Sequence, residues 1–169
     1  MAYLTAYSPL DMLNMQTWPG YVTSHTSTNI TVTDYYKTAY YSGSGFTYSG
    51  GEIVGGTLTQ FSQSVGGSPQ WLVGGLSISM PLASAYVTSN DLQALFSIAL
   101  SGNDSFDLSN GRDIVSGYAG NDIINGRGGS MILSWAAMVM IPSMAAQAPI
   151  FCTVKMEMTI FSAISGMTH

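Results

Sequence analysis

The sequence predicts a mainly β protein: a β-rich N-terminal domain, one short helix, and then a short parallel β-roll segment. Two observations lead to this fold class. Residues 100–129 repeat every nine residues, and residues 29–48 are rich in Thr, Val and Tyr with partial alternation. The stretches GGTLTQF and GGLSISM predict two more short strands, each opened by a glycine pair. The predicted divisions are a β-rich module over 1–99, repeats over 100–129, and a tail over 130–169 without a regular fold.

One helix is predicted at residues 90–99, immediately before the repeats. Ser89 or Asn90 can cap its first turn. An apolar stripe follows at helical spacing, formed by Leu92, Leu95, Phe96, Ala99 and Leu100. We expect this helix to cover the open end of the β-roll core. A second, short helix is predicted at residues 10–15, because Pro9 suits a first-turn position.

Three sets of residues recur at a spacing of nine. They are Asp104, Asp113 and Asp122; Gly102, Gly111, Gly120 and Gly129; and Phe106, Val115 and Ile124. Each nine-residue unit combines a glycine turn with a three-residue strand whose middle side chain points inward. Two units then make one coil of a parallel roll. Loops eighteen residues apart therefore stack on one side, which places Asp104 with Asp122 and leaves Asp113 on the opposite side.

The last repeat, Gly117 to Asn125, matches the pattern G-G-x-G-x-D-x-U-x, in which U is a large apolar residue. Only this copy has Gly at the first position of the pattern. Residues 100–129 thus resemble the RTX, or hemolysin-type, calcium-binding repeats of proteins that Gram-negative bacteria secrete. A single Gly-Asn-Asp run is an ordinary turn, whereas three in phase favour this family. The resemblance implies Ca2+ as the bound ion and, as ligand positions, Asp104, Asp113 and Asp122 with the loop residues Gly102, Gly111, Gly120, Asn103 and Asn121.

The tail changes character after Gly129. Residues 131–151 carry no charge, and seven of the eleven Met residues lie in the last 39 positions. About 20 such residues can span a bilayer as a helix, although Pro142 and Pro149 disfavour a regular one. A different origin for the tail is indicated by spacing, because Met131 and Met140 continue the nine-residue phase of the Asp residues.

A shifted reading frame explains that spacing. A frame that starts at the third base of a Met or Trp codon begins with G and takes two bases from the next codon. The forced codons spell Asp at Met131, Met140, Met158 and Met167, and Gly at Trp135, Met138, Met144 and Met156. These are the residues that the repeat requires. We therefore interpret the tail as an out-of-frame translation of a longer repeat array, and expect no defined membrane topology.

Composition excludes several function classes. The chain has 4 Lys and Arg against 9 Asp and Glu, so its net charge of -5 argues against nucleic-acid binding. The one Cys, Cys152, lies in the tail, which excludes disulfides from the rest. His25 stands alone among Ser and Thr, and neither H-E-x-x-H nor G-x-S-x-G occurs. We therefore predict no enzymatic activity.

The tyrosines from Tyr35 to Tyr48 could form a sugar-stacking platform, but cross-strand packing is the favoured interpretation.

The resemblance also implies an extracellular location reached by type I secretion. Proteins of this family use an uncleaved C-terminal signal, which we expect to be lost here, so that the chain is retained in the cell. The N-terminus lacks the pattern of a cleaved signal peptide. Two alternatives remain: a non-catalytic fragment of a larger secreted enzyme or adhesin, and a small protein with a C-terminal membrane anchor. The biological target is not indicated by the sequence.

Overall fold

The structure is a computed structural model that describes residues 1–134 and 150–153. The predicted mainly β fold is confirmed, since the described residues form an eight-stranded sheet and a three-stranded sheet. Six strands precede the repeats: β1 (Tyr3–Ala6), β2 (Tyr21–His25), β3 (Asn29–Thr33), β4 (Lys37–Ser49), β5 (Glu52–Val65) and β6 (Ser68–Ser79). Among the described residues, five strands of three or four residues follow: β7 (Ser105–Asp107), β8 (Asp113–Val115), β9 (Ile123–Asn125), β10 (Met131–Ser134) and β11 (Ile150–Thr153). The large sheet has the strand order β2-β3-β4-β5-β6-β1-β7-β9.

Strands β2 to β6 form an antiparallel meander. Two-residue turns join the longest of them: Gly50 and Gly51 connect β4 to β5, and Gly66 and Gly67 connect β5 to β6. All four glycines have positive φ, between 55° and 84°. Turns with positive φ at both central positions match the twist of the flanking strands. These glycine pairs therefore fix the registers of the two hairpins.

The predicted strand starts at the other glycine pairs are wrong. Gly55 and Gly56 lie inside β5, and Gly74 and Gly75 lie inside β6. The pairing register shifts beside both pairs, so the glycines mark bulges within long strands. Gly56 shows the reason, because its φ is 110° and a Cβ there would collide with Phe46.

Two α-helices separate the meander from the repeats. The predicted helix is present as α2 (Leu92–Ala99), but its N-cap is Asp91, whose carboxylate accepts from Ala94 N at 3.0 Å. Helix α1 (Met80–Thr88) was not predicted, although Pro81 in its first turn was an available signal. The helix predicted at 10–15 is a single 3-10 turn, Met12–Asn14, capped by Asp11.

The repeats form the predicted parallel coil. Strand β7 pairs with β9 so that Phe106 lies opposite Ile124, eighteen residues later. The side chains at these inward positions are at most 1% exposed: Phe106, Val115 and Ile124. The inward positions of the repeat thus contribute directly to the core.

The expectation that the helix covers the open end of the roll is wrong. Strand β1 pairs in parallel with β7, which places Leu4 opposite Phe106. A further parallel bridge joins Asp11 to Ile114. Residues 2–12 therefore form a first coil stacked on the repeats. They can do so without the repeat motif because parallel pairing uses backbone groups and needs only inward apolar side chains such as Leu4 and Met12.

The described residues of the tail form two short strands. Strand β10 pairs with β8, with Met131 opposite Asp113, and β11 pairs with β10. An edge strand offers unpaired backbone groups to whatever chain follows, which explains this extension. Residues 135–149 and 154–169, to which most of the tail prediction refers, lie outside the described residues.

Candidate calcium site

Two loops, eighteen residues apart, stack closely on one side of the roll. A Cβ at Gly120 would collide with the carbonyl oxygen of Gly102, and the φ of Gly120 is 120°. The backbone N–H of Asn121 donates to Oδ1 of Asn103 at 2.8 Å. The predicted contact between the loop of Asp104 and the loop of Asp122 is therefore present.

Asp104 is buried between these loops and the first coil. Its Oδ1 accepts a hydrogen bond from the backbone N–H of Ala2 at 2.5 Å, and its Oδ2 accepts from Gly102 N at 3.3 Å. Only 1% of its surface is exposed. Asp104 thus ties the N-terminal coil to the first repeat loop.

Asp122 occupies the equivalent position one coil later, but only half of its carboxylate has a partner. Its Oδ1 accepts from Asp104 N at 2.9 Å. Its Oδ2 is buried and has no hydrogen-bond partner within the described residues. That oxygen lies against Gly117, where any Cβ would collide with it. Glycine at 117 therefore leaves room for the carboxylate without giving it a donor.

Burial is the main cause of a raised pKa at Asp122. The nearby charge of Asp104 raises this pKa further, while the hydrogen bond from the backbone of Asp104 lowers it. An ionised carboxylate at this position is costly because it is desolvated and faces a second carboxylate. A bound cation would remove both costs.

Asp113 lies on the opposite side of the roll, as the nine-residue spacing predicts, and both of its oxygens have donors. They accept from Leu10 N at 2.8 Å, from Ser109 N at 3.1 Å and from the Ser109 hydroxyl at 2.9 Å. Pro9 packs against Gly111 in the same loop. Asp113 therefore serves as a turn cap, and the structure does not bring it together with Asp104 and Asp122.

The side of the roll that holds Asp104 and Asp122 supplies two carboxylates, which are part of the ligand set that a hard cation needs. Among the described residues, no group of three or more His, Cys, Asp or Glu side chains is placed to hold a metal. Backbone carbonyls could supply further ligands, which Ca2+ accepts readily. The predicted loop residues that lie on this side, Gly102, Asn103, Gly120 and Asn121, carry such carbonyls. Gly111 lies on the other side, with Asp113.

The sequence interpretation missed the donors that hold the carboxylates. Ala2 and Leu10 donate their backbone N–H groups to Asp104 and Asp113, more than a hundred residues away. Neither residue belongs to a repeat. A weak signal was the spacing of Ala2, Leu4 and Ala6, whose burial alternates with that of Tyr3 and Thr5 as in a strand.

The other candidate residues do not form a second polar site. His25 is exposed and packs its ring against Tyr48, with centroids 4.6 Å apart. The tyrosines from Tyr35 to Tyr48 divide between two environments. Tyr41 and Tyr48 pack against the core, whereas Tyr35, Tyr36 and Tyr40 are exposed. They therefore do not form one continuous platform.

The described residues include no helix long and apolar enough to cross a membrane. Both ends of the 131–151 stretch are strand, in β10 and β11. Comparison of the chain with protein-family models, with curated proteins and with solved structures gave no match.

Proposed function

We propose that the protein binds Ca2+ between the stacked loops that carry Asp104 and Asp122, and that binding is coupled to closure of the β-roll. One observation carries the proposal. The Oδ2 atom of Asp122 is buried without a hydrogen-bond partner in the described part of the chain, next to a second buried carboxylate. A buried carboxylate oxygen without a hydrogen-bond donor costs free energy, and a bound cation would satisfy it.

The donor set favours calcium among the common metals. Carboxylate and backbone carbonyl oxygens suit hard cations, whereas Zn2+ and Cu2+ favour Cys and His. Cys152 lies in the tail strand β11, and His25 lies at the opposite edge of the sheet, in β2. Oxygen atoms from two adjacent loops can adopt the flexible, high-coordination arrangement that Ca2+ takes.

Coupling to folding follows from the charges. Without the ion, closing the roll buries Asp122 beside Asp104, which disfavours the ionised form. With the ion, both carboxylates keep their charge and the loops are held together. Extracellular calcium sites typically work at about 10⁻⁴ to 10⁻³ M, far above cytosolic levels. In a secreted protein of the resembled family, the roll would therefore close only after export.

We expect the chain to bind at most one or two Ca2+ ions, and to bind them weakly. The loops of Asp104 and Asp122 form the complete same-side pair, whereas Asp113 is aligned with Met131 across β8 and β10. A thioether cannot replace a carboxylate as a ligand for Ca2+, which takes hard oxygen donors.

Calorimetric titration of the full chain with Ca2+ tests the proposal. Asp122→Ala and the closely isosteric Asp122→Asn should both abolish binding, because each removes the unpaired carboxylate. Asp113→Asn is the matched control: it alters a buried repeat Asp on the other side, and should destabilise the chain while keeping Ca2+ binding. Wild-type binding in both Asp122 variants, or several tight sites in the wild type, would overturn the proposal. Circular dichroism checks that each variant folds.

A further inference from the structure

A cavity of about 240 Å³ lies between the meander and helix α1, away from the calcium site. Its floor consists of two rows of side chains that the strand registers align. One row runs from Ile30 through Tyr41 to Phe61. The second runs from Val32 through Ala39 and Gln63 to Trp71. Ala39 is the smallest side chain in these rows, which leaves space above it.

Helix α1 and a strap close the cavity. Met80, Ser84 and Val87 line it from one face of α1. The strap, residues 16–18, crosses between the 3-10 turn and β2. Thr17 donates from its N–H and its hydroxyl to Asn90 Oδ1 at 2.7 and 2.8 Å. Hydrogen bonds at this distance hold the strap against the end of α1, so that the space is a defined pocket.

The lining is aromatic and neutral. Among the described residues, none of those that line the cavity carries a charged side chain. Trp18 donates its indole N–H to Gln63 Oε1 at 3.0 Å, which leaves the amide NH2 of Gln63 as a donor. Tyr41 contributes a neutral hydroxyl, and burial raises its pKa to about 12. The cavity therefore combines a large apolar surface with a few fixed polar groups, as ligand sites commonly do.

Size and charge together define the ligand class. An apolar cavity of about 150 Å³ accommodates benzene, so the larger space here suits a molecule of about two fused rings. A charged ligand would be desolvated without a counter-ion. We propose that this cavity binds a small neutral molecule, mostly apolar and of about two-ring size, with one hydrogen-bonding group directed to Tyr41 or Gln63.

Titration of the full chain with 2-naphthol, followed by calorimetry in the presence of Ca2+, tests this inference. We expect saturable one-to-one binding with a dissociation constant on the order of 0.1 mM, as a ligand of this size can reach. The anion 2-naphthoate, of similar shape, should bind at least tenfold more weakly. Its charge meets no cationic side chain in the lining.

Ala39→Met fills the space above the floor and should weaken 2-naphthol binding at least tenfold. Tyr40→Ala is the matched control, because Tyr40 is the exposed neighbour on the other face of β4. It should bind as the wild type does. If Ala39→Met does not fold, Ser84→Leu fills the cavity from α1 instead. Absence of saturable binding in the folded wild type, equal binding by the filled variant, or equal affinity for 2-naphthoate would each overturn the inference.

Discussion

Asp104, Asp113 and Asp122 occupy the same position in three repeats, yet their carboxylates have different surroundings. The first two accept hydrogen bonds from Ala2 N and Leu10 N. Asp122 is one coil farther from the N-terminus and has only one oxygen bonded. A repeat residue therefore acquires its role from what stacks on it, because its own sequence neighbours supply only part of the donors.

Gly120→Ala should destabilise the chain by about 2 kcal/mol or more, since a Cβ would collide with the carbonyl of Gly102 and the backbone φ of 120° disfavours any side chain. Urea unfolding in the presence of Ca2+ measures this. Gly50→Asn is the control, because Gly50 has positive φ but open space around it, and Asn tolerates that conformation. Its stability should change by no more than about 0.5 kcal/mol. Equal effects of the two substitutions would contradict the tight stacking of the loops.

Arg127→Met should remove a pH-dependent contribution to stability. Arg127 pairs with Asp107 across the coil, and this contact lowers the pKa of the Asp107 carboxyl. An Asp with a lowered folded-state pKa stabilises the fold above its unfolded pKa of about 3.9, and this contribution is lost as pH falls through the folded value. The wild type should therefore be more stable than the variant at pH 7, and the difference should vanish near pH 2.

Thermal unfolding midpoints between pH 2 and pH 7 check that prediction. Both side chains are partly exposed, so salt should reduce the difference. Arg112→Met is the control, because Arg112 is an exposed arginine in the neighbouring loop without an ion pair in the described part of the chain. A pH-independent difference between wild type and Arg127→Met would show that the charge pair is not its cause.

At the scale of elements, strand β1 joins the two parts of the fold. It pairs antiparallel with β6 and parallel with β7, so the meander and the roll share one sheet. Leu4 and Phe106 face each other across β1 and β7 and are almost completely buried. Stability of the roll therefore depends on the N-terminal residues as well as on its own repeats.

Met131→Asp should complete a second same-side pair of carboxylates and so add a calcium site on the side of Asp113. Met131 is buried opposite Asp113, in the alignment that Asp122 has with Asp104. Without Ca2+ the variant should be destabilised by about 2 kcal/mol or more, because it buries an unpaired carboxylate. With Ca2+ it should bind one additional ion, measured by calorimetry.

Met131→Leu is the control for that substitution. It conserves volume and polarity, so it should cost less than about 1.5 kcal/mol and leave Ca2+ stoichiometry unchanged. If Met131→Asp folds in Ca2+ but binds no additional ion, stacking of loops eighteen residues apart is not sufficient to form a site.

At the scale of the whole molecule, the sheet changes from antiparallel to parallel pairing as it passes from the meander to the roll. In the described part of the tail, the roll continues past the repeats through backbone pairing of β10 and β11. Continuation of this kind needs no repeat motif. The two tail strands are therefore compatible with a tail translated from shifted codons.

Restoring the other reading frame from codon 130 onward should add about four nine-residue Ca2+-binding loops or fewer, because 39 residues remain after Ser130. Calcium stoichiometry of the restored chain, compared with the present one, is the measurement. Protection of residues 131–169 from proteolysis in the present chain, together with no gain of Ca2+ in the restored chain, would contradict the frameshift interpretation. Sequencing of the adjoining DNA is an independent check.

The sequence by itself determined the local geometry of the repeats. A period of nine, with glycine turns and one inward apolar residue, defines three-residue strands and assigns each Asp to a side, because these features depend on residues close together in the chain. It also located most of the meander strands and helix α2. It did not distinguish glycine pairs at turns from those at bulges, since both favour positive φ.

Only the tertiary structure decided what covers the roll, which carboxylate is left without a donor, and where the cavity lies. The bond from Ala2 to Asp104 spans 102 residues and that from Leu10 to Asp113 spans 103. The cavity likewise depends on a strap at 16–18 meeting Asn90. Contacts between such distant segments leave no periodic pattern in the sequence, because they are set by how the sheet, helices and coils pack together.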